Sequence, residues 1–142
     1  MLFLCSGNYY RSRFAEVLFN ALAPRRGLAW RAESRGFRLH PANIGPISPH
    51  AIAGLRARGI DCPDPTRYPR VAAAGEFDAV ELVVAVKEAE HRPLMRRHFP
   101  AWVDRVEYWQ IHDLDCAGAD EALAELDGQV QNLIERLAGG GV

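Results

Sequence analysis

A chain of 142 residues, 49% apolar and 25% charged, has the makings of one soluble domain spanning 1–142 with a single sizeable core. Its formal net charge of −1 offers no general field for nucleic acid or a membrane surface. No stretch approaches the roughly 20 apolar residues of a membrane span, and MLFLCSGN is too short an apolar run for a secretion signal. These features, with three sparse cysteines (Cys5, Cys62, Cys116) and no CxxC or histidine-rich cluster, read as a cytoplasmic protein with neither a disulfide framework nor a structural zinc site.

Apolar runs alternate with helical patterns along the chain, which predicts an α/β domain with a parallel sheet. Met1 to Leu4 is a short apolar strand ending at Cys5. After Arg11, the residues Phe14, Val17, Leu18, Ala21 and Leu22 recur at helical spacing, and Pro24 marks the end of that helix. A second strand is expected near Leu28 to Glu33, followed by a loop over Gly36 to Pro46. Ser48-Pro49 reads as an N-cap with proline at the first helical position. Ala51, Ile52 and Leu55 then form an apolar stripe, with Gly59 just past the helix end. Proline-rich Cys62 to Pro69 is a loop. Ala79 to Val86 is the strongest strand, apolar enough to be buried on both faces apart from Glu81. Arg105 to Ile111 is expected to be the last strand. Leu123, Leu126, Val130, Leu133, Ile134 and Leu137 define a long amphipathic final helix.

The chemistry concentrates in Leu4 to Arg13, LCSGNYYRSR. A cysteine six positions before an arginine carries little by itself, but here the pair opens at a strand end and closes at a helix start. A loop curling into a helix N-terminus turns backbone N–H groups inward, and the helix dipole adds positive potential, so the loop can cradle an anion. Gly7 and Asn8 are residue types that tolerate positive φ in such a curl. Arg11 can grip two phosphate oxygens through its planar fork. The same donors favour a thiolate on Cys5, which is then placed to attack phosphorus. The plainer alternative makes Cys5 a small buried apolar residue and Arg11 an ordinary helix-start arginine. A cation at a helix N-terminus is opposed by the dipole, so the arrangement calls for a nearby anion.

The segment resembles the signature of the low-molecular-weight protein tyrosine phosphatases, C-x-G-N-x-x-R-S, matched by Cys5, Gly7, Asn8, Arg11 and Ser12. WRAESRG, GIDCPDPTR and YWQIHD resemble later segments of the same family. The resemblance implies a three-layer domain with a four-stranded parallel sheet flanked by helices and the phosphate loop between strand 1 and helix 1. It also implies hydrolysis of a phosphorylated protein, phosphotyrosine in particular, or of a small phosphomonoester. The reaction would pass through a phosphocysteine, with no metal or other cofactor. Ser6, Gly7, Asn8, Tyr9, Tyr10 and Ser12 would form the substrate-binding loop. Ser12 would donate to the Cys5 sulfur, and Asn8 would be tied to Ser34.

An oxygen leaving group needs a proton as it departs. The family supplies it from an Asp-Pro pair after the last strand. YWQIHDLDC offers Asp113 at the matching position, with Asp115 in reserve and His112 as a third candidate. The C-terminal ends of parallel strands gather at one edge, which would bring this loop towards Cys5. Several positions depart from the family pattern. Leu114 replaces the proline, Asp115 and Cys116 stand where tyrosines usually wall the substrate ring, Val86-Lys87 replaces a Met-Asp pair, and Asp64 replaces a histidine. The missing tyrosines imply an altered substrate specificity, and the missing Met-Asp pair and histidine imply lost supporting polar contacts with the catalytic pair intact. Two other functions compete with hydrolysis. One is a non-catalytic phosphate-binding module, which would lack a usable acid. The other is arsenate reduction, which needs Cys62 or Cys116 brought beside Cys5.

Overall fold

The computed structural model describes residues 1–112 and 118–140. Four parallel strands form one sheet in the order β2-β1-β3-β4, with β1 at Leu2–Cys5, β2 at Glu33–Gly36, β3 at Val83–Ala85 and β4 at Glu107–Tyr108. The helices are α1 (Arg11–Leu22), α2 (Pro49–Arg56), α3 (Ala74–Asp78), α4 (Glu88–His98) and α5 (Ala119–Ala138). Short 3₁₀ turns follow α1 at Ala23–Arg26 and α4 at Pro100–Trp102.

β1 is buried throughout because it is central, paired with β2 from Leu2↔Glu33 to Cys5↔Gly36 and with β3 from Leu2↔Val83 to Leu4↔Ala85. Alternation along this strand divides the core in two. Phe3 and Cys5 face α1, α2 and α5, where Phe14, Phe19, Leu55, Leu126 and Val130 are buried. Leu2 and Leu4 face α3 and α4, where Phe77 and Met95 are buried. The result is helix, sheet and helix in three layers, with Cys5 at the carboxyl end of a central strand.

The start of α2 agrees with the chemistry of its residues. Ser48 caps α2, accepting from the His50 N–H at 3.2 Å, Pro49 opens it, and Gly59 follows its end at φ 74°. Several strand boundaries differ from the sequence reading. The second strand is Glu33–Gly36, not Leu28 to Glu33. Pairing starts only where β1 has backbone to offer, and the Asn20 side chain takes both backbone groups of Ala32. Ala79 to Leu82 follow the end of α3 instead of joining β3, so the long apolar run yields three strand residues. The expected Arg105 to Ile111 strand narrows to Glu107–Tyr108, although the Trp109 and Ile111 N–H groups still bond to the Ala85 and Val86 carbonyls. α4 was not foreseen. It buries only His91 and Met95 and carries Pro93, so it lacks the apolar stripe by which helices are recognised.

Candidate active site

The loop 6–10 leaves β1 and curls into α1 without a capping side chain at Tyr10 and without an acid in the first turn. The positive end of the helix dipole therefore faces the loop. Asn8 takes the left-handed conformation at φ 50°, the tolerance expected of it. Gly36 lies directly beneath. A β-carbon there would stand 2.9 Å from the Asn8 nitrogen and 2.9 Å from the Ser6 carbonyl oxygen, so only glycine lets strand and loop approach this closely. Ser6 O accepts from the Phe37 and Arg38 N–H groups at 2.9 and 3.0 Å, which fastens the loop to the chain beyond β2.

The side chains below the loop form a network whose proton directions can be read from its members. Arg67 Nη1 and the Arg70 N–H donate to Asn8 Oδ1 at 2.9 and 3.0 Å, which orients the amide. Asn8 Nδ2 then donates to Ser12 Oγ and Ser34 Oγ, both at 2.9 Å. Ser34 passes its own proton to Glu16 Oε1 at 2.6 Å. Ser12 Oγ, accepting from Asn8, stands 3.0 Å from Cys5 Sγ, where it can donate to a thiolate. Asn8 and Ser12 are fully buried beneath the loop, so their side chains hold its shape and do not line the cleft. Arg67 also donates to the Ser34 carbonyl at 2.6 Å, and burial pushes its pKa down to about 10. Arg67, three residues beyond Asp64, thus gives the loop a polar support of its own.

Arg11 is 3% exposed, and the anion its position calls for is Glu90, 3.2 Å from Nη2. Glu90 lies in the first turn of α4. The Lys87 N–H donates to His91 Nδ1 at 3.1 Å, leaving the proton of the neutral ring on Nε2, which faces Ser6 Oγ at 3.1 Å. Ser6 in turn donates to Glu90. The His91 ring, 3.6 Å away, the Ser6 hydroxyl and the Arg11 guanidinium hold the Glu90 carboxyl well below the usual carboxylate range, against the opposite pull of burial. Burial lowers the pKa of His91, which keeps the ring neutral. The carboxylate missing from Val86-Lys87 thus returns one helical turn later. An acid followed by histidine beyond the third strand is a signal in itself, legible once Glu88–His98 is recognised as a helix.

A cleft of about 1040 Å³ opens above Cys5, lined by Ser6, Gly7, Tyr9, Tyr10 and Arg11 from the loop and by Phe37 and Glu90 from its flank. Tyr9 is fixed by its hydroxyl, which donates to the Ile44 carbonyl at 2.6 Å, and Tyr10 is buried. Trp109 packs in the core against Phe3, 5.7 Å between ring centres, and does not wall the cleft. Cys62 stands 4.0 Å from Arg13 Nη2 and does not line the cleft either. His112 is exposed. Asp113, Asp115 and Cys116 lie outside the described residues. The carbonyl of Ile111, two residues before Asp113, accepts from Arg11 Nη1 at 3.3 Å.

A thiol with a hydroxyl 3.0 Å from it, in a loop closed by a buried arginine at a helix N-terminus, has the makings of a cysteine-based phosphate-handling site. A family model described as low molecular weight phosphotyrosine protein phosphatase matches residues 1–138, and the chain belongs to that family. It is therefore a hydrolase of phosphorylated substrates, and a phosphocysteine intermediate fits the family. Over 106 residues it is 28% identical to the protein-arginine-phosphatase of Bacillus subtilis (strain 168), covering 75% of this chain and 67% of that protein. Among solved structures it is similar to the low molecular weight protein tyrosine phosphatase from T. tengcongensis, with 26% identity and a TM-score of 0.79 over 95% of this chain and 97% of the other. It is also similar to the arsenate reductase from Archaeoglobus fulgidus DSM 4304, with 26% identity and a TM-score of 0.65 over 94% and 98% of the two chains.

Proposed function

We propose that residues 1–142 work as one domain that hydrolyses phosphotyrosine on proteins, with Cys5 as nucleophile, Arg11 as phosphate clamp and Asp113 as general acid. The Cys5 thiolate attacks phosphorus, the S–P bond forms as the P–O ester bond breaks, and Asp113 gives its proton to the leaving oxygen. Water then attacks the phosphocysteine, Asp113 takes its proton, and the thiolate departs as inorganic phosphate forms. Loop N–H groups and Arg11 stabilise the equatorial oxygens throughout.

The observation that carries this reading is the Ser12 hydroxyl, held by Asn8 at 3.0 Å from Cys5 Sγ, since a hydroxyl so placed can donate to a thiolate and favours both its formation and its departure. Asp113 is supported by the contact between Ile111 and Arg11, because two residues of chain reach at most about 7 Å. Tyr9, Tyr10 and Phe37 supply aromatic walls suited to an aryl phosphate. Two unpaired thiols, Cys5 and Cys62, suit a reducing cytoplasm. A second reading, hydrolysis of phosphoarginine, is favoured by the activity named for the B. subtilis relative.

The test is hydrolysis of p-nitrophenyl phosphate with a chelator present, followed by phosphotyrosyl and phosphoarginyl peptides. Cys5→Ser is expected to abolish turnover while still binding inorganic phosphate, and appreciable residual hydrolysis refutes the nucleophile. Asp113→Asn should slow phosphotyrosyl peptide roughly 10²–10⁴-fold and p-nitrophenyl phosphate far less. Equal losses on both argue against it as the acid. A higher kcat/KM on phosphoarginyl than on phosphotyrosyl peptide selects the second reading.

A further inference from the structure

The cleft mouth carries charge that the chemistry at Cys5 does not use. α4 presents Glu90, Pro93, Leu94, Arg97 and His98 to the cleft, the spacing of one helical face. Glu90 sits at the level of Arg11. Arg97, seven residues on, stands about 10 Å further out along the helix. Beside it runs the segment after β2. Phe37 stacks on His91 at 5.5 Å and meets Phe99 at 6.5 Å, which joins this segment and α4 into one wall. The Arg38 N–H bonds to Ser6 O, and a β-carbon on Gly7 would lie 3.3 Å from Asn43 Nδ2, so residues 38–43 lie over the phosphate loop itself.

Arg38, His40, Arg97 and His98 are all exposed on this wall. Among the described residues, the one carboxylate lining the cleft is Glu90, already engaged by Arg11 and Ser6, and neither Arg38 nor Arg97 forms an ion pair. The chain as a whole has a net charge of −1, so this positive wall is local and not an overall excess of base. A phosphorylated side chain reaching Cys5 leaves its own backbone at the mouth, level with Arg97.

Resting on the phosphatase reading above, we propose that this wall recognises acidic side chains flanking the phosphorylated residue of a protein substrate, with Arg38 and Arg97 as the cations that meet them. An extended peptide advances about 3.3 Å per residue, so the side chains nearest the phosphorylated position are those the wall can meet.

The test uses one phosphotyrosyl peptide scaffold with aspartate, alanine or lysine at the flanking positions. Each peptide is measured as an inhibitor of p-nitrophenyl phosphate hydrolysis by wild type, Arg38→Ala, Arg97→Ala and the double variant. Fluorescence anisotropy with Cys5→Ser protein reads docking without turnover, so it stands even if hydrolysis fails. Wild type should bind the aspartate peptide more tightly than the alanine peptide and the lysine peptide least. Each single variant should lose roughly twofold to fivefold on the aspartate peptide alone, the preference should shrink with added salt, and kcat/KM for p-nitrophenyl phosphate should stay unchanged. Equal affinity for the three peptides overturns the proposal, as does an undiminished aspartate preference in the double variant. Absence of any wild-type hydrolysis would count against the phosphatase reading and not against docking.

Discussion

Glu90 makes Arg11 tolerable in an unfavourable place. A guanidinium buried at a helix N-terminus lacks both water and the help of the dipole, and the carboxylate at 3.2 Å supplies the opposing charge. Glu90→Gln should lower stability by about 1–2 kcal/mol at neutral pH, read as a fall in Tm. Inorganic phosphate, which can replace the lost anion, should raise the variant's Tm more than that of wild type. The pH dependence has a definite sign. The Glu90 pKa is depressed in the folded state, so its contribution is complete above the ordinary carboxylate range. It is lost progressively as the pH falls below about 4.5 towards the folded pKa. The Tm gap between wild type and Glu90→Gln should therefore close on acidification, and a gap that widens instead refutes the pairing. From the sequence, Cys5, Gly7, Asn8 and Arg11 were readable because the groups that build a phosphate loop are neighbours in the chain. Glu90 and Arg67 were not, since they reach the loop across 79 and 59 residues and nothing local distinguishes Arg67 from other arginines.

At the scale of elements, the site depends on strand and loop meeting at Gly36. Its surroundings on that side are backbone atoms of Ser6, Gly7 and Asn8, which cannot rotate away from an added methyl. Gly36→Ala should displace the loop, weaken phosphate binding at least tenfold and cost about 1–3 kcal/mol of stability, measurable by phosphate titration and chemical denaturation. Retained phosphate affinity would show that the loop can shift without losing its shape. The order of strands and helices was largely legible from periodicity and caps, as at Ser48-Pro49. What escaped was the division of Ala79 to Val86 between the end of α3 and β3, because an apolar run does not reveal which part pairs and which merely packs. α4 escaped for the opposite reason: only His91 and Met95 are buried along it, and Pro93 interrupts it.

Across the whole molecule, the two cores act on different parts of the site. α5 covers α1 from the far side, and its fully buried Leu126 belongs to the cluster containing Phe14, Phe19 and Phe3. Leu126→Ala should cost about 2–5 kcal/mol, seen in the denaturation midpoint, while kcat of the remaining folded protein changes little because α5 contributes nothing to the described cleft lining. A large kcat loss at unchanged stability would mean that α5 governs the loop through α1.

The placement of β1 also bears on how the chain acquires its structure during synthesis. The central strand precedes its partners in the chain, and these, at Glu33 and Val83, lie 31 and 81 positions beyond Leu2. Until they arrive, LFLC is an unpaired apolar strand, and the cradle at its end has neither the Gly36 floor nor the Glu90 counter-charge. Assembly must wait for long-range pairing, whose loop-closure entropy is spent before the contacts reward it. Until then the edges of β1 are open to pairing with other chains.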